Sequence, residues 1–120
     1  MATLTPTLTL VSSDTSADAL NATFTDTLTV TNPMTGSGTA KVLHTGPSEI
    51  IPASVSTISF VFLKNTDSTN YVEVKTAGGT AYSVLYPGEF MLLPVKGSVG
   101  IEVQANSATC VVEYGFWTRS

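Results

Sequence analysis

The chain is poor in the residues that carry chemistry. Its 120 residues include one cysteine, Cys110, and one histidine, His44. A lone cysteine excludes an intrachain disulfide, and with it a disulfide-stapled secreted domain. A structural zinc site needs about four cysteine or histidine ligands, more than this chain holds. Charged residues make up only 12%, about half the share usual in a soluble domain. The basic residues Lys41, Lys64, Lys75, Lys96 and Arg119 are scattered singly, and the formal net charge is −4. No basic stripe is present to neutralise phosphates, which sets nucleic acid aside as a partner. The same sparseness argues against an anionic membrane surface. No apolar run approaches the roughly 18 residues of a membrane-crossing helix. The start, Met1-Ala2-Thr3, lacks a basic segment followed by an apolar core, so no signal peptide is expected.

Catalytic and metal-binding arrangements find little support. A Ser-His-Asp or Cys-His set could be drawn through His44, but without a local nucleophile motif it carries no weight. Cys110 lies in a predicted strand, where a free cysteine behaves as a small buried hydrophobe. Its nearest cation along the chain is Arg119, too remote in sequence to suggest an activated thiolate. Asp67, with Asn65 and Asn70, offers oxygen ligands, yet the spacing is not that of a calcium loop. Gly78-Gly79 has no phosphate-loop context, and the acids show no singled-out pair for glycoside hydrolysis. No enzymatic activity, metal or cofactor is expected.

What is abundant is threonine in alternation. Residues 3–10 and 23–31 place Thr on one side of a strand and apolar residues on the other. Leu4, Leu8 and Leu10 share a face, as do Phe24, Leu28 and Val30. Thr is β-branched and suits a half-wet pleated surface. Further strands are expected at residues 39–44, 58–64, 71–75, 81–85, 89–95, from about 97, and from about 109 to 117. Between them lie Asn32-Pro33, Gly36-Ser37-Gly38, Gly46-Pro47, residues 65–70, Gly78-Gly79, Pro87-Gly88 and Asn106-Ser107, all turn formers. Residues 50–53 read as irregular or edge, because Pro52 cannot donate to a ladder. Residues 13–20 alone hint at a helix. Eight or nine strands of roughly six residues predict an all-β, single-domain antiparallel β-sandwich of jelly-roll type. The domain spans residues 1–120, with residues 1–21 as a candidate extended N-terminal arm.

Period-2 placement assigns Phe60, Phe62, Val72, Val74, Ile101, Val103, Val112, Tyr114 and Phe116 to the core. Val111 and Trp117 then face outward. Two strands are apolar on both faces, which calls either for a covering loop such as residues 46–56 or for a second subunit. On the second reading the interface residues are Val61, Leu63, Met91, Leu93 and Trp117. Tyr71, Tyr82, Tyr86 and Trp117 could instead form a sugar-stacking platform.

The second half also has a recognisable cadence. Residues 62–72 (FLKNTDSTNYV) are followed by residues 85–90 (LYPGEF), then Leu93-Pro94 and Val112-Glu113-Tyr114. Over residues 57–117 this resembles small structural proteins of tailed bacteriophage particles, several of which are sandwich or jelly-roll modules. The resemblance implies a virion component made in the host cytoplasm. The position implied is that of a capsid decoration (cement) protein, or of a neck or tail part. The expected partners are the chain itself, as a homotrimer, and the major capsid protein or other virion proteins. A carbohydrate-binding module is the alternative.

Overall fold

Alternating threonine and leucine produce the first element. The computed structural model describes residues 2–13, 21–30 and 36–119, and in it the two Thr-rich stretches pair with each other. Strand β1 (Ala2–Leu4) pairs with β4 (Leu28–Val30), and β2 (Thr7–Val11) pairs with β3 (Asn21–Thr25), both antiparallel. Between the two ladders, the Asp26 amide donates to the Pro6 carbonyl at 3.2 Å. Residues directly opposite share a face. Leu8 lies opposite Phe24 and Leu10 opposite Ala22, whereas Thr7 faces Thr25 and Thr9 faces Thr23. The ribbon is thus apolar on one face and hydroxyl on the other. The paired Thr hydroxyls lie 3.4 and 3.5 Å apart. At its base Val30 is buried and bridges to Arg119, just past the last strand. The arm therefore includes both Thr-rich stretches and reaches Val30, beyond the expected limit at residue 21.

The remaining strands are β5 (Gly36–Val42), β6 (Ser48–Ile51), β7 (Ile58–Asn65), β8 (Val72–Thr76), β9 (Ala81–Leu85), β10 (Phe90–Pro94), β11 (Ile101–Ala105) and β12 (Cys110–Thr118). They form two four-stranded sheets, β10-β7-β12-β5 and β6-β11-β8-β9, with antiparallel pairing throughout. Counted from β5 as first, these orders are 6-3-8-1 and 2-7-4-5, the interleaved Greek keys of a jelly roll. No helix occurs among the described residues. The helical hint at residues 13–20 falls almost wholly outside them, as does the Asn32-Pro33 turn. Gly36-Ser37-Gly38, expected as loop, opens β5 instead. Residues 48–51 form an edge strand that stops before Pro52. Pro94 likewise sits on an edge strand, β10, where its missing N–H breaks no ladder.

The core lies between the sheets. Val72, Val74, Ile101, Val103, Val112 and Phe116 are buried as expected, and Tyr114 packs against them half-buried. Cys110 is buried beside Val112. Strand β7 departs from expectation. Val61 and Leu63 are 0% and 1% exposed and belong to the core, while Phe60 and Phe62 lie on the outer face. Register shows why. Val61 and Leu63 stand opposite Phe116 and Tyr114, on the inner side, whereas Phe60 and Phe62 stand opposite Trp117 and Gly115. Strand β10 follows suit: Met91 and Leu93 pack inward opposite Leu63 and Val61. Four of the five proposed interface residues, Val61, Leu63, Met91 and Leu93, are therefore core or core-packing residues. Only Trp117 is on the outer face.

Candidate functional site

The resemblance motif folds into a structural knot at one end of the sandwich. Asn65, ending β7, is fully buried. Its Nδ2 donates to the carbonyls of Asn70 (2.9 Å) and Leu85 (3.0 Å), and its Oδ1 accepts from the Asp67 amide (3.0 Å). Its backbone pairs with the neighbouring turn: the Asn65 amide donates to the Glu89 carbonyl at 2.9 Å, and the Asn65 carbonyl accepts from the Gly88 amide at 3.0 Å. That turn, 86–89, has Pro87 second and Gly88 third at φ +82, which fits a type II turn. Its first amide, Tyr86 N–H, donates to the Glu89 carboxylate at 2.8 Å. The Tyr71 and Tyr86 rings lie 5.5 Å apart over the same end.

The oxygen-rich turn is satisfied by its own backbone. Asp67 Oδ2 accepts from the amides of Thr69 (2.9 Å) and Asn70 (2.6 Å). Those two amides, Asn70 first, hold its carboxyl below the usual aspartate range. Asn70 Oδ1 lies 2.9 Å from Ser107 Oγ. These bonds build the turn rather than point oxygens at a cation. Among the described residues no group of three or more His, Cys, Asp or Glu could hold a metal.

No catalytic set assembles around the sequence candidates. His44 is exposed just past β5. Cys110 is buried, and burial, helped by the Asp67 charge, pushes its thiol above the usual range. A cleft of about 340 Å³ opens between the sheets at the β9–β10 edge, lined by Tyr82, Leu93, Val95, Lys96, Val99 and Ile101 among others. Its lining contains no carboxylate, histidine or thiol, so it offers no base of ordinary strength near neutral pH. Val99, expected in a strand, lies here in a turn that ends at Gly100, with φ +78. The four candidate sugar-stacking aromatics do not form a row. Tyr71 and Tyr86 pair at one end, Tyr82 lines the edge cleft, and Trp117 sits on the opposite sheet beside Phe62.

The distinctive feature is the contrast between the two outer sheet faces. On β6-β11-β8-β9, Glu102 stands between Glu49 and Lys75, and Gln104 stands beside Glu73. This face is charged. On β10-β7-β12-β5 the outer residues of the first three strands are Phe90, Leu92, Pro94, Phe60, Phe62, Val111, Gly115 and Trp117, with Lys64 and Glu113 opposite each other. The Phe62 and Trp117 rings are 6.1 Å apart. Gly115 makes this packing possible: a Cβ there would lie 2.5 Å from the Phe62 ring.

The ribbon supplies part of the cover that β7 and β10 need, a role the sequence reading gave to residues 46–56 or a second subunit. Pro6, Leu8 and Phe24 of the ribbon face Phe60 and Leu92 of the sheet across a cleft of about 190 Å³. The cover is incomplete. Phe24 remains 61% exposed, Phe90 69%, Leu8 41%, Leu10 42% and Leu92 40%. Sequence reasoning missed Phe24, Leu8 and Phe90 as surface residues, although Lys64 shares the parity of Phe60 and Phe62 and so marks the wet side of β7. No family model, no curated protein and no solved structure matches this chain.

Proposed function

We propose that this protein is a structural component of a tailed-phage particle, a decoration protein that binds the outside of the capsid as a homotrimer and stabilises it without chemistry. The observation that carries the reading is sidedness. One sheet of the jelly roll carries Glu49, Glu73, Lys75 and Glu102 outside, the other is mainly apolar outside with one Lys64–Glu113 pair, and a two-stranded arm lies on the apolar side. Exposed apolar patches of this kind suit protein contacts. The hydroxyl face of the arm, carrying Thr7, Thr9, Thr23 and Thr25, can make neutral hydrogen bonds across a seam between shell subunits. Such bonds avoid much of the desolvation cost of buried ions. The resemblance of residues 57–117 to phage structural proteins supports the same class, and the jelly-roll order is one that capsid proteins use. A fold alone does not fix a function, so the assignment rests on the surfaces.

A neck or tail position would use the same surfaces in a single ring. The carbohydrate-binding alternative is weaker, because the aromatics it needs lie in three separate places.

The test is to purify particles from cells producing this chain and locate it by cryo-electron microscopy. The expected position is periodic, on the outer surface at local symmetry axes, with particles lacking the chain bursting at lower temperature. A single ring at the neck or tail would refute decoration and keep the virion assignment. Absence from particles, or specific glycan binding by the isolated chain, would overturn both.

A further inference from the structure

The cleft at the β9–β10 edge opens between the sheets, and the backbone is irregular all around it. We infer that this cleft binds a small amphiphile, a monocarboxylate with an apolar body of roughly eight to twelve carbons whose carboxylate meets Lys96. Such binding is independent of where the chain assembles.

Three observations mark the cleft as a built site. The first is where the sheets lose register. Among the described strands the ladders shift at three places. Opposite Trp117 and Thr118, β7 passes from Phe60 to Ile58 and leaves Ser59 over. Opposite Val74 and Lys75, β9 passes from Ser83 to Ala81 and leaves Tyr82 over. The third shift falls just after Ile101 of β11. Ile58, Tyr82 and Ile101 all line the cleft. Bulges bend a strand and re-aim its side chains, and they gather beside functional sites.

The second observation is the loop along one wall. Ser98 is the one non-glycine among the described residues at positive φ, +64, and Gly100 follows at +78. The Ser98 amide donates to the Val55 carbonyl at 2.8 Å, and a Cβ on Gly97 would run into the Ser56 carbonyl. The loop is thus pinned against residues 55–56, with Val99 held in the lining. Backbone held in such conformations by its surroundings gathers at ligand clamps. A preformed wall also lowers the ordering cost of binding.

The third observation is the chemistry of the lining. Ile58, Leu93, Val95, Val99 and Ile101 supply an apolar interior, and Lys96 is the single charged residue. The chain has nine acids and five lysines and arginines, yet no acid lines the cleft to repel an anion or to neutralise the lysine. Tyr82 and Thr76 add two hydroxyls. Burial pushes the Tyr82 hydroxyl above the usual tyrosine range, so it stays protonated as a donor. One cation and two hydroxyls match one carboxylate better than a phosphate dianion. Size sets the apolar body. The cleft holds about 340 Å³, and a cavity of ~150 Å³ takes one benzene.

The test titrates the full, isotope-labelled chain with sodium octanoate, well below micelle formation, and follows its NMR shifts. The expected result is saturable one-to-one binding that moves signals of Ile58, Tyr82, Val99 and Ile101. Octanol, with the same chain and no charge, should bind about tenfold more weakly. Lys96→Met should weaken octanoate by about tenfold and leave octanol unchanged. Lys96 is exposed, so an unchanged melting temperature is expected and shows that the fold survives. Tyr82→Phe should weaken octanoate a few-fold. No saturable shift up to millimolar octanoate would overturn the inference. So would equal affinity for octanol, or octanoate affinity unmoved by Lys96→Met. Shifts clustered at Leu8, Phe24, Phe90 and Leu92 would overturn it too, because the amphiphile would then be coating the outer apolar face. None of these results touches the location of the chain in particles, which tests the virion reading separately.

Discussion

Asn65 is fully buried, and each polar atom of its side chain bonds to backbone from a different part of one end of the sandwich. Asn65→Ala would strip donors from the carbonyls of Asn70 and Leu85 and leave a small void. Unsatisfied buried polar groups cost about 1–3 kcal/mol each, so a loss of about 3 kcal/mol in urea unfolding is expected. Ser59 is the contrasting case. It is also buried, but its hydroxyl has no partner, so Ser59→Ala should leave stability unchanged to within about 1 kcal/mol, or raise it. Asp67 sets the pH dependence at this end. Its carboxyl is held below the ordinary aspartate value by the Asn70 and Thr69 amides. A depressed folded-state pKa gives stability that is present above the unfolded value, about 3.9, and is lost as pH falls through the folded value. Asp67→Asn should therefore flatten the acid limb of melting temperature against pH below about pH 4, and NMR titration should place the Asp67 carboxyl below the ordinary aspartate value of about 3.9.

Strands were largely legible because turns are spelled by Gly, Pro, Asn and Asp, and the alternation between them has period 2. Strand β12 was read in the right register: Cys110, Val112 and Phe116 point in, Val111 and Trp117 out. Strand β7 was read with its faces exchanged. Both of its parities are apolar, so alternation alone does not choose a side, and a one-residue slip exchanges every side chain. The inner parity even carries Ser59 and Asn65, two polar residues that a hydrophobicity argument sends outward. Pairing between the two Thr-rich stretches was invisible for another reason: long-range pairing leaves no local signature beyond two similar patterns. The outer face of β7 and β12 gives a further prediction. Gly115→Ala places a methyl 2.5 Å from the Phe62 ring, so the ring must rotate away. The Phe62–Trp117 contact at 6.1 Å should open, and Trp117 fluorescence should change in intensity or wavelength. The stability cost should be only about 1 kcal/mol, because the ring lies on the outer face and has room to move.

At the scale of the whole molecule, Glu49, Glu73, Lys75 and Glu102 lie on one outer sheet face, while the exposed phenylalanines and leucines of the ribbon and β10 lie on the other side, which also carries Lys64 and Glu113. The consequence for assembly can be read from its salt dependence. If copies met through ion pairs, raising salt would weaken them, because screening shortens the reach of charge from about 10 Å at 0.1 M to about 3 Å at 1 M. Here the exposed apolar side chains are Leu8, Leu10, Phe24, Phe90 and Leu92, Lys64 and Glu113 on that side already stand opposite each other, and the acids Glu49, Glu73 and Glu102 are on the far sheet. Ion pairing contributes little to a contact through these apolar side chains, while the net charge of −4 on each copy opposes association at long range. Salt removes that opposition and leaves the apolar term intact, and sulfate strengthens it further. Self-association should therefore tighten as sodium chloride rises from about 0.05 to 1 M, and tighten more in sodium sulfate, as followed by sedimentation velocity. Weaker association at high salt would mean that charged residues hold the copies together. In that case the charged outer face of β6-β11-β8-β9, not the ribbon side, would be where the next copy sits.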